Sequence, residues 1–423
     1  MYRKLMLWAG EKVVGYTFKL SHQNQRRCFG KPVQEVIGNM QHYFDNAATT
    51  FMCEQALAAY GETARNYPGN PSALHPLGRE ANVRLETIRK NLADLLQVAS
   101  SDLYFTSGGT ESNSIVLSSL LWSQSPGEII ISSIEHASAG GFARILKQHG
   151  WEITTLLAPG GFVQPQALAE ALTSRTRMVC IQTVNNVVGS IQDIKSLVQV
   201  TRTAGKNFGR PIHFHTDAVQ ALGKIKLDLK GLDVDSASFS AHKLHGPRGC
   251  GLLYCKKTGL QALSRGGGQE FGLRPGTENL SAIAAMEAAF LRCLPEFRKD
   301  IKCPRELFPT VWSANDFLRE HLACPILSPW HDYSPFILEI AVEPFPSEVF
   351  MRMLSDRGFC VSSGSACSNN ARQKGEGILL SMGIKPQVAR SSIRLSFSDE
   401  TTLDETELLC NTINELYTIS IRN

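Results

Sequence analysis

No apolar run in this chain reaches the roughly 18 residues needed to cross a bilayer, so no membrane span is expected. Residues 1–40 lack the apolar core of a secretory signal, because Lys4, Glu11, Lys12 and Lys19 interrupt the apolar positions. With no export signal, a cytoplasmic location is expected. Charge of one sign is also scarce. A dispersed net charge of +4 is too small to build a nucleic-acid surface, and no direct nucleic-acid partner is expected. The 11 cysteines include no CxxC pair and no zinc-knuckle spacing, so no metal site is expected and reduced core thiols are the default. Cys250 and Cys255 bracket a strand-like segment on opposite faces. There is no internal repeat.

A chain of 423 residues exceeds a single core, which implies at least two domains. Residues 1–39, with the polar and basic cluster Ser21–Arg27 and no clear periodicity, read as a leader. Either it is a disordered tail or the natural start is Met40. From about residue 55, short apolar runs alternate with longer amphipathic ones. Strands are expected at Asp102–Thr106, Glu128–Ser132, Glu152–Leu157, Met178–Thr183, Ile212–Thr216, Ser236–Ser240 and Gly251–Cys255. Helices are expected at Arg79–Leu96, Ser112–Leu121, Ser138–His149, Gln166–Thr173 and Ile194–Ala204. That alternation predicts an α/β domain with a mainly parallel seven-stranded sheet over 55–298. A smaller α+β domain is expected from 40–54 and 299–423, with strands at Pro335–Val342 and Ser391–Ser396 and helices at Ser347–Arg357 and Asp404–Tyr417.

The most informative stretch is Ser240-Ala241-His242-Lys243-Leu244-His245-Gly246-Pro247, directly after the small, apolar Ser236–Phe239. Alone, a lysine there reads as solvated. At a strand end, behind a hydroxyl and an imidazole that can hold a phosphate, Lys243 suits a Schiff-base lysine for pyridoxal phosphate, because burial favours the free amine. Four other expected strand ends carry matching groups. Ser107–Asn113 opens a helix after a glycine pair, so Gly109 and Thr110 can offer backbone N–H and hydroxyl groups to an anion. His136 could stack on a flat ring and move protons. Asn186, in an Asn-Asn turn, could offer an amide. Asp217 could pair with a protonated pyridine nitrogen, and Gln220, one helical turn on, could reach the ring's phenolic oxygen. Ligands of open α/β sheets bind along this carboxyl edge.

In the second half, Val361–Asn370 is small and polar, so Cys367 is expected in an exposed loop where the thiolate is favoured. Arg394 alternates in a strand pattern and could clamp a carboxylate bidentately, although a surface arginine on an edge strand is the commoner case. Gly266–Glu270 and Arg274–Asn279 form a Gly-rich loop whose Thr277 could supply another phosphate hydroxyl.

Taken together, Phe44–Thr50, Thr106–Asn113, Ser240–Gly249, Arg274–Asn279 and Ser363–Ser368 resemble the NifS/IscS-type cysteine desulfurases, fold-type I pyridoxal-phosphate enzymes of the class V aminotransferase superfamily. The likeness runs from Tyr43 to about Tyr417. It implies that Lys243 binds the cofactor covalently, His136 stacks on its ring, Asp217 pairs with the ring nitrogen and Gln220 with the phenolic oxygen. It implies that Thr110, Ser240 and His242 hold the phosphate, with Thr277 supplied by the partner of a homodimer. Asn46, Asn186 and Arg394 are the implied substrate-binding residues and Cys367 the implied sulfur acceptor. The implied reaction takes sulfur from L-cysteine, leaves L-alanine and a persulfide on Cys367, and passes sulfur to acceptors such as an iron–sulfur scaffold or a tRNA-thiolation enzyme.

Two stretches depart from the family pattern. Val187 follows the Asn-Asn pair where many relatives have an acidic residue, and Asn369–Gly377 carries Arg372, Lys374 and Glu376 in place of a short apolar ending. A selenocysteine lyase shares most of these motifs, and a transaminase of the superfamily would not need Cys367. A non-enzymatic carrier that keeps the fold is disfavoured by the presence of both Lys243 and Asp217.

Overall fold

The computed structural model describes residues 42–256, 260–293, 304–363 and 375–422. Tyr43–Asn423 forms one compact unit. The expected leader 1–39 and Cys367 with most of its loop lie outside the described residues.

Seven strands make the central sheet: β1 (Leu103–Thr106), β2 (Glu128–Ser132), β3 (Glu152–Leu156), β4 (Thr176–Cys180), β5 (His213–Asp217), β6 (Ser236–Ser240) and β7 (Gly251–Cys255). Their order is β1-β7-β6-β5-β4-β2-β3. Every pairing is parallel except those of β7, which runs antiparallel to both β1 and β6. β1, β2, β6 and β7 are buried along their whole length, as expected where helices cover both faces. Successive residues feed opposite cores. Ile130 and Val179 join Phe214 and Phe239 on one side, while Ile129, Ile131 and Met178 join Leu253 on the other.

The helices that flank this sheet include α1 (Glu54–Asn66), α2 (Pro76–Leu96), α3 (Gly109–Ser118), α4 (Ala137–Gln148), α5 (Ile194–Asn207) and α6 (Leu280–Cys293). In α2, Ala81, Leu85, Ile88 and Leu92 recur at helical spacing and are buried. Burying each of the larger three stabilises by about 2 kcal/mol. His75 accepts from Gly78 N–H at 3.2 Å and Pro76 sits at the first helical position, which places the start three residues before the expected Arg79.

A separate core forms around the antiparallel strands β8 (Ile337–Ala341), β9 (Ser362–Ser363) and β10 (Ser392–Ser396), with β10 central. Phe44 and Ala47 pack there with residues of α7 (Pro309–His321), α8 (Ser347–Ser355) and α9 (Leu403–Arg422). Among the described residues, no helix is long and apolar enough to cross a membrane.

Several element boundaries differ from expectation. The strand expected at Met178–Thr183 is Thr176–Cys180. On its β2 side the ladder ends because Gln182 N–H turns to the Glu135 carboxylate at 2.8 Å; on its β5 side Thr183 N–H still meets Asp217 O at 2.9 Å. The helix expected at Ser112–Leu121 starts at Gly109 and tightens into a 3₁₀ turn at Ser119–Trp122. Gln220 lies in a turn after β5 and not in a helix. Arg394 is on the central strand of its sheet and 1% exposed, not on an edge at the surface.

Candidate active site

The carboxyl ends of β1, β2, β4, β5 and β6 border one cavity of about 340 Å³. Its lining includes Gly109 and Thr110 after β1, His136 after β2, Gln182, Val184 and Asn186 after β4, Asp217, Val219 and Gln220 at β5, and Ser240, His242 and Lys243 at β6. Ala47, from the segment shared with the second core, closes one side.

At one end sits an anion cradle. Gly109 begins α3, and a Cβ there would stand 2.5 Å from Val219 Cγ2, so a larger residue would have to displace the Val219 side chain on the cavity wall. Ser240 is buried, and His242 Nδ1 lies 3.2 Å from Thr49 Oγ1. Burial pushes the His242 imidazole down to about 4, with Lys243, Arg248 and Lys224 adding to the effect. A neutral imidazole with one nitrogen against Thr49 keeps the other to face an anion.

Lys243 follows β6 in a short 3₁₀ turn, and its Nζ donates to Ala47 O at 2.6 Å and Ala48 O at 2.7 Å. Asp217 ends β5. Its Oδ1 accepts from Val219 N–H at 3.0 Å and its Oδ2 from Asn113 Nδ2 at 2.7 Å. Gln220 donates from Nε2 to Ala47 O at 2.9 Å, while its Oε1 accepts from Lys224 Nζ at 2.7 Å. Lys224 is buried, and burial lowers its ammonium to about 7, with Lys243 and Arg394 acting in the same direction. His136 caps α4, its Nδ1 accepting from Ser138 N–H at 3.2 Å.

Other expected site residues sit differently. Arg394 does not line the cavity. It donates from Nη1 to Asn186 O at 2.9 Å and from Nη2 to Asp45 Oδ1 at 3.0 Å. Asn46 spends its amide protons on Tyr43 O at 3.2 Å and Ser396 O at 3.0 Å, and its neighbour Ala47 faces the cavity instead. Thr277 is exposed and away from the cavity lining.

The donor set fits pyridoxal phosphate. A helix start with two hydroxyls and an imidazole suits the phosphate. An acceptor-only carboxylate suits a protonated ring nitrogen, an amide N–H₂ the phenolic oxygen, and an amine the aldehyde. Asn186 Oδ1 is buried on the cavity wall with no partner, which leaves an acceptor for a bound donor.

The Aminotransferase class-V pattern matches residues 42–409. The chain belongs to the class V aminotransferase family. Members of this family are in general pyridoxal-phosphate enzymes. A NifS/IcsS protein homolog of Lactobacillus delbrueckii subsp. bulgaricus is 40% identical over 382 residues, covering 89% of this chain and 97% of that one. A cysteine desulfurase IscS of Dictyoglomus turgidum is 33% identical, covering 89% and 96%. Among solved structures, a NifS-like protein superposes with a TM-score of 0.81 at 30% identity over 89% of this chain and 99% of its own. SspA in complex with cysteine superposes with a TM-score of 0.72 at 27% identity over 84% and 98%.

The class V site contains groups that sequence reading passed over. Gln182, Val184 and Val219 line the cavity, and Asn113, His215 and Lys224 stand behind it. Two had a signal. Lys224 is four residues after Gln220, and His215 is two before Asp217 on the same strand face.

Proposed function

We propose that this class V protein is a pyridoxal-phosphate-dependent cysteine desulfurase acting on L-cysteine. The observation that carries the reading is the meeting of Lys243, Asp217, Gln220 and His136 around one cavity with an anion cradle at its end. The IscS and NifS names of relatives over most of the chain point the same way. When bound, the cofactor captures an amino group through its aldehyde and withdraws electrons through its ring.

The chain's own residues divide the remaining work. Gly109, Thr110, Ser240 and His242 bind the phosphate. Asp217 accepts the ring N–H, and Gln220 donates to the phenolic oxygen. Lys243 Nζ would hold the cofactor and, when free, would take the substrate α-proton. The Asn186 amide N–H₂ and Arg394 receive the substrate carboxylate, with Arg394 leaving Asn186 O and Asp45 to do so, and Asn46 holds the backbone that carries Ala47. Cys367, outside the described residues, is the sulfur acceptor. Its thiolate forms a bond to the substrate sulfur as the sulfur–Cβ bond breaks. The electron pair stays with the three-carbon fragment, which takes up protons and leaves as L-alanine. Cys250, Cys293 and Cys324 are poor alternatives, because burial pushes their thiols up to about 12 and keeps them protonated.

The working unit is a homodimer in this reading. Thr277 is exposed and off its own cavity, as a residue serving a partner's phosphate site must be. The persulfide then passes to a sulfur-acceptor protein, such as an iron–sulfur scaffold. The test is alanine and sulfide release from L-cysteine with a thiol reductant. Wild type is expected to be yellow and active, and Cys367→Ser yellow and inactive. Equal alanine release by both would overturn the acceptor role, and a faster rate on L-selenocysteine would reassign the enzyme as a lyase.

A further inference from the structure

Behind the cavity wall, Asp217 and His136 are joined by a hydrogen-bond network whose other members have no role in the reaction above. β5 places His213, His215 and Asp217 on one face, and β6 sets Ser236 opposite His215 and Ser238 opposite Asp217. α3 brings the fully buried Asn113 to both Asp217 and His215. Asn113 Nδ2 is 2.7 Å from Asp217 Oδ2 and 2.9 Å from Ser138 Oγ, while its Oδ1 is 3.0 Å from His215 Nε2. His215 Nδ1 is 2.8 Å from Ser236 Oγ, which is 2.7 Å from His213 Nε2. Ser138 Oγ is 2.8 Å from His136 Nδ1.

Counting protons orients every link. A turned amide would set Oδ1 against the Asp217 carboxylate, two acceptors at hydrogen-bond distance, so Nδ2 faces Asp217. Oδ1 therefore accepts, and His215 must carry its proton on Nε2; the longer 3.5 Å contact to Ser238 Oγ shares that N–H. Burial, reinforced by His213 and opposed by a contact with the Ser236 backbone, pushes His215 down to about 3, so the ring is neutral, and with its one proton on Nε2 its Nδ1 is an acceptor. Ser236 donates its only proton there and must accept from His213 Nε2–H. On the other branch, both Asn113 amide protons are in use. Ser138 Oγ accepts one of them, and because His136 Nδ1 accepts the Ser138 backbone N–H it carries no proton, so the Ser138 hydroxyl donates to it.

We propose that Asn113 is a positioning residue, its amide held in one direction by the Asp217 carboxylate on one side and the His215 Nε2–H on the other, which keeps Asp217 a pure acceptor toward the cofactor and, through Ser138, keeps His136 accepting at Nδ1. The proposal rests on the reading of Asp217 and His136 as cofactor-facing groups. Its consequence is that neutral His136 carries its proton on Nε2, and can add one only at Nδ1 after the Ser138 hydroxyl turns away.

The test has two arms on the pyridoxal-phosphate-loaded enzyme. In ¹⁵N-histidine NMR, with peaks assigned against His136→Asn and His215→Gln, both rings are expected to carry the proton on Nε2. In cofactor titrations, His215→Phe removes the donor that orients Asn113 and is expected to weaken pyridoxal-phosphate affinity about fivefold, the effect of losing one oriented hydrogen bond. His215→Gln keeps a donor and is expected to stay within about twofold of wild type. A proton on His215 Nδ1, or equal affinity for His215→Phe and wild type, overturns the proposal. If His215→Phe does not fold, the wild-type tautomers decide. A wild-type protein that takes up no pyridoxal phosphate sinks the proposed function, while the His215 tautomer still reads the network by itself.

Discussion

Lys224 Nζ donates to Gln220 Oε1 at 2.7 Å, one helical-turn spacing along a segment that is not a helix. That bond fixes which end of the Gln220 amide is the acceptor, and so leaves its N–H₂ for Ala47 O and the cavity. Lys224→Met removes the donor without touching the cavity wall. The expected outcome is about fivefold weaker pyridoxal-phosphate affinity, the effect of one oriented hydrogen bond, with a displaced visible absorption band. Equilibrium dialysis and the absorption spectrum check it.

Arg394 is buried and shared between Asp45 and Asn186 O. A lysine would keep the charge and lose the two-pronged geometry. Arg394→Lys is therefore expected to raise KM for L-cysteine about tenfold or more, consistent with a lost charge-assisted bond, while the cofactor spectrum stays that of wild type. Steady-state alanine release at varied L-cysteine reads the effect.

Arg89 and Glu270 make a buried two-pronged pair, with both N···O distances at 2.8 Å. Glu270 also accepts from Phe105 N–H at 2.7 Å, and it and Phe271 hold left-handed backbone at φ 48° and 56°. The clamp anchors the loop that continues to Thr277. Arg89→Met leaves a buried carboxylate unpaired and is expected to destabilise by roughly 3–5 kcal/mol. Urea unfolding of the variant against wild type measures it, and a loss under 1 kcal/mol would refute the clamp.

Glu339 faces Arg394 across the β8–β10 pair and is fully buried. Burial raises its carboxyl to about 8, against the opposing pull of Ser392 and Arg394. A carboxyl raised on folding contributes stability that is present below the unfolded value of about 4.5 and is lost as pH rises through the folded one. Glu339→Gln should thus gain on wild type between about pH 4.5 and 8, at up to roughly 1.4 kcal/mol per pH unit. Denaturation at pH 5, 6.5 and 8 tests the sign; a gap that shrinks with pH contradicts it.

Much of the architecture was legible because it follows from local pattern. Ser236–Ser240 and Gly251–Cys255 are strands at the expected bounds, since small and apolar residues flanked by turn signals leave few alternatives. Boundaries failed where a side chain from elsewhere took a backbone group, as Glu135 does at Gln182. Lys243, Asp217, His136 and Gln220 could be picked out because each stands at or within a few residues after the carboxyl end of a strand, the edge along which open α/β sheets bind ligands.

The sequence by itself determined the alternation of strands and helices and the groups offered at the sheet's carboxyl edge, because periodicity and motif are properties of neighbours along the chain. Only the tertiary structure decided that Arg394 is buried against Asp45, that Asn46 is spent on backbone carbonyls, and that Asn113 links Asp217 to His215. Those contacts join residues about 100 to 350 positions apart, and hydrogen-bond direction depends on which partner arrives, a fact no local pattern carries.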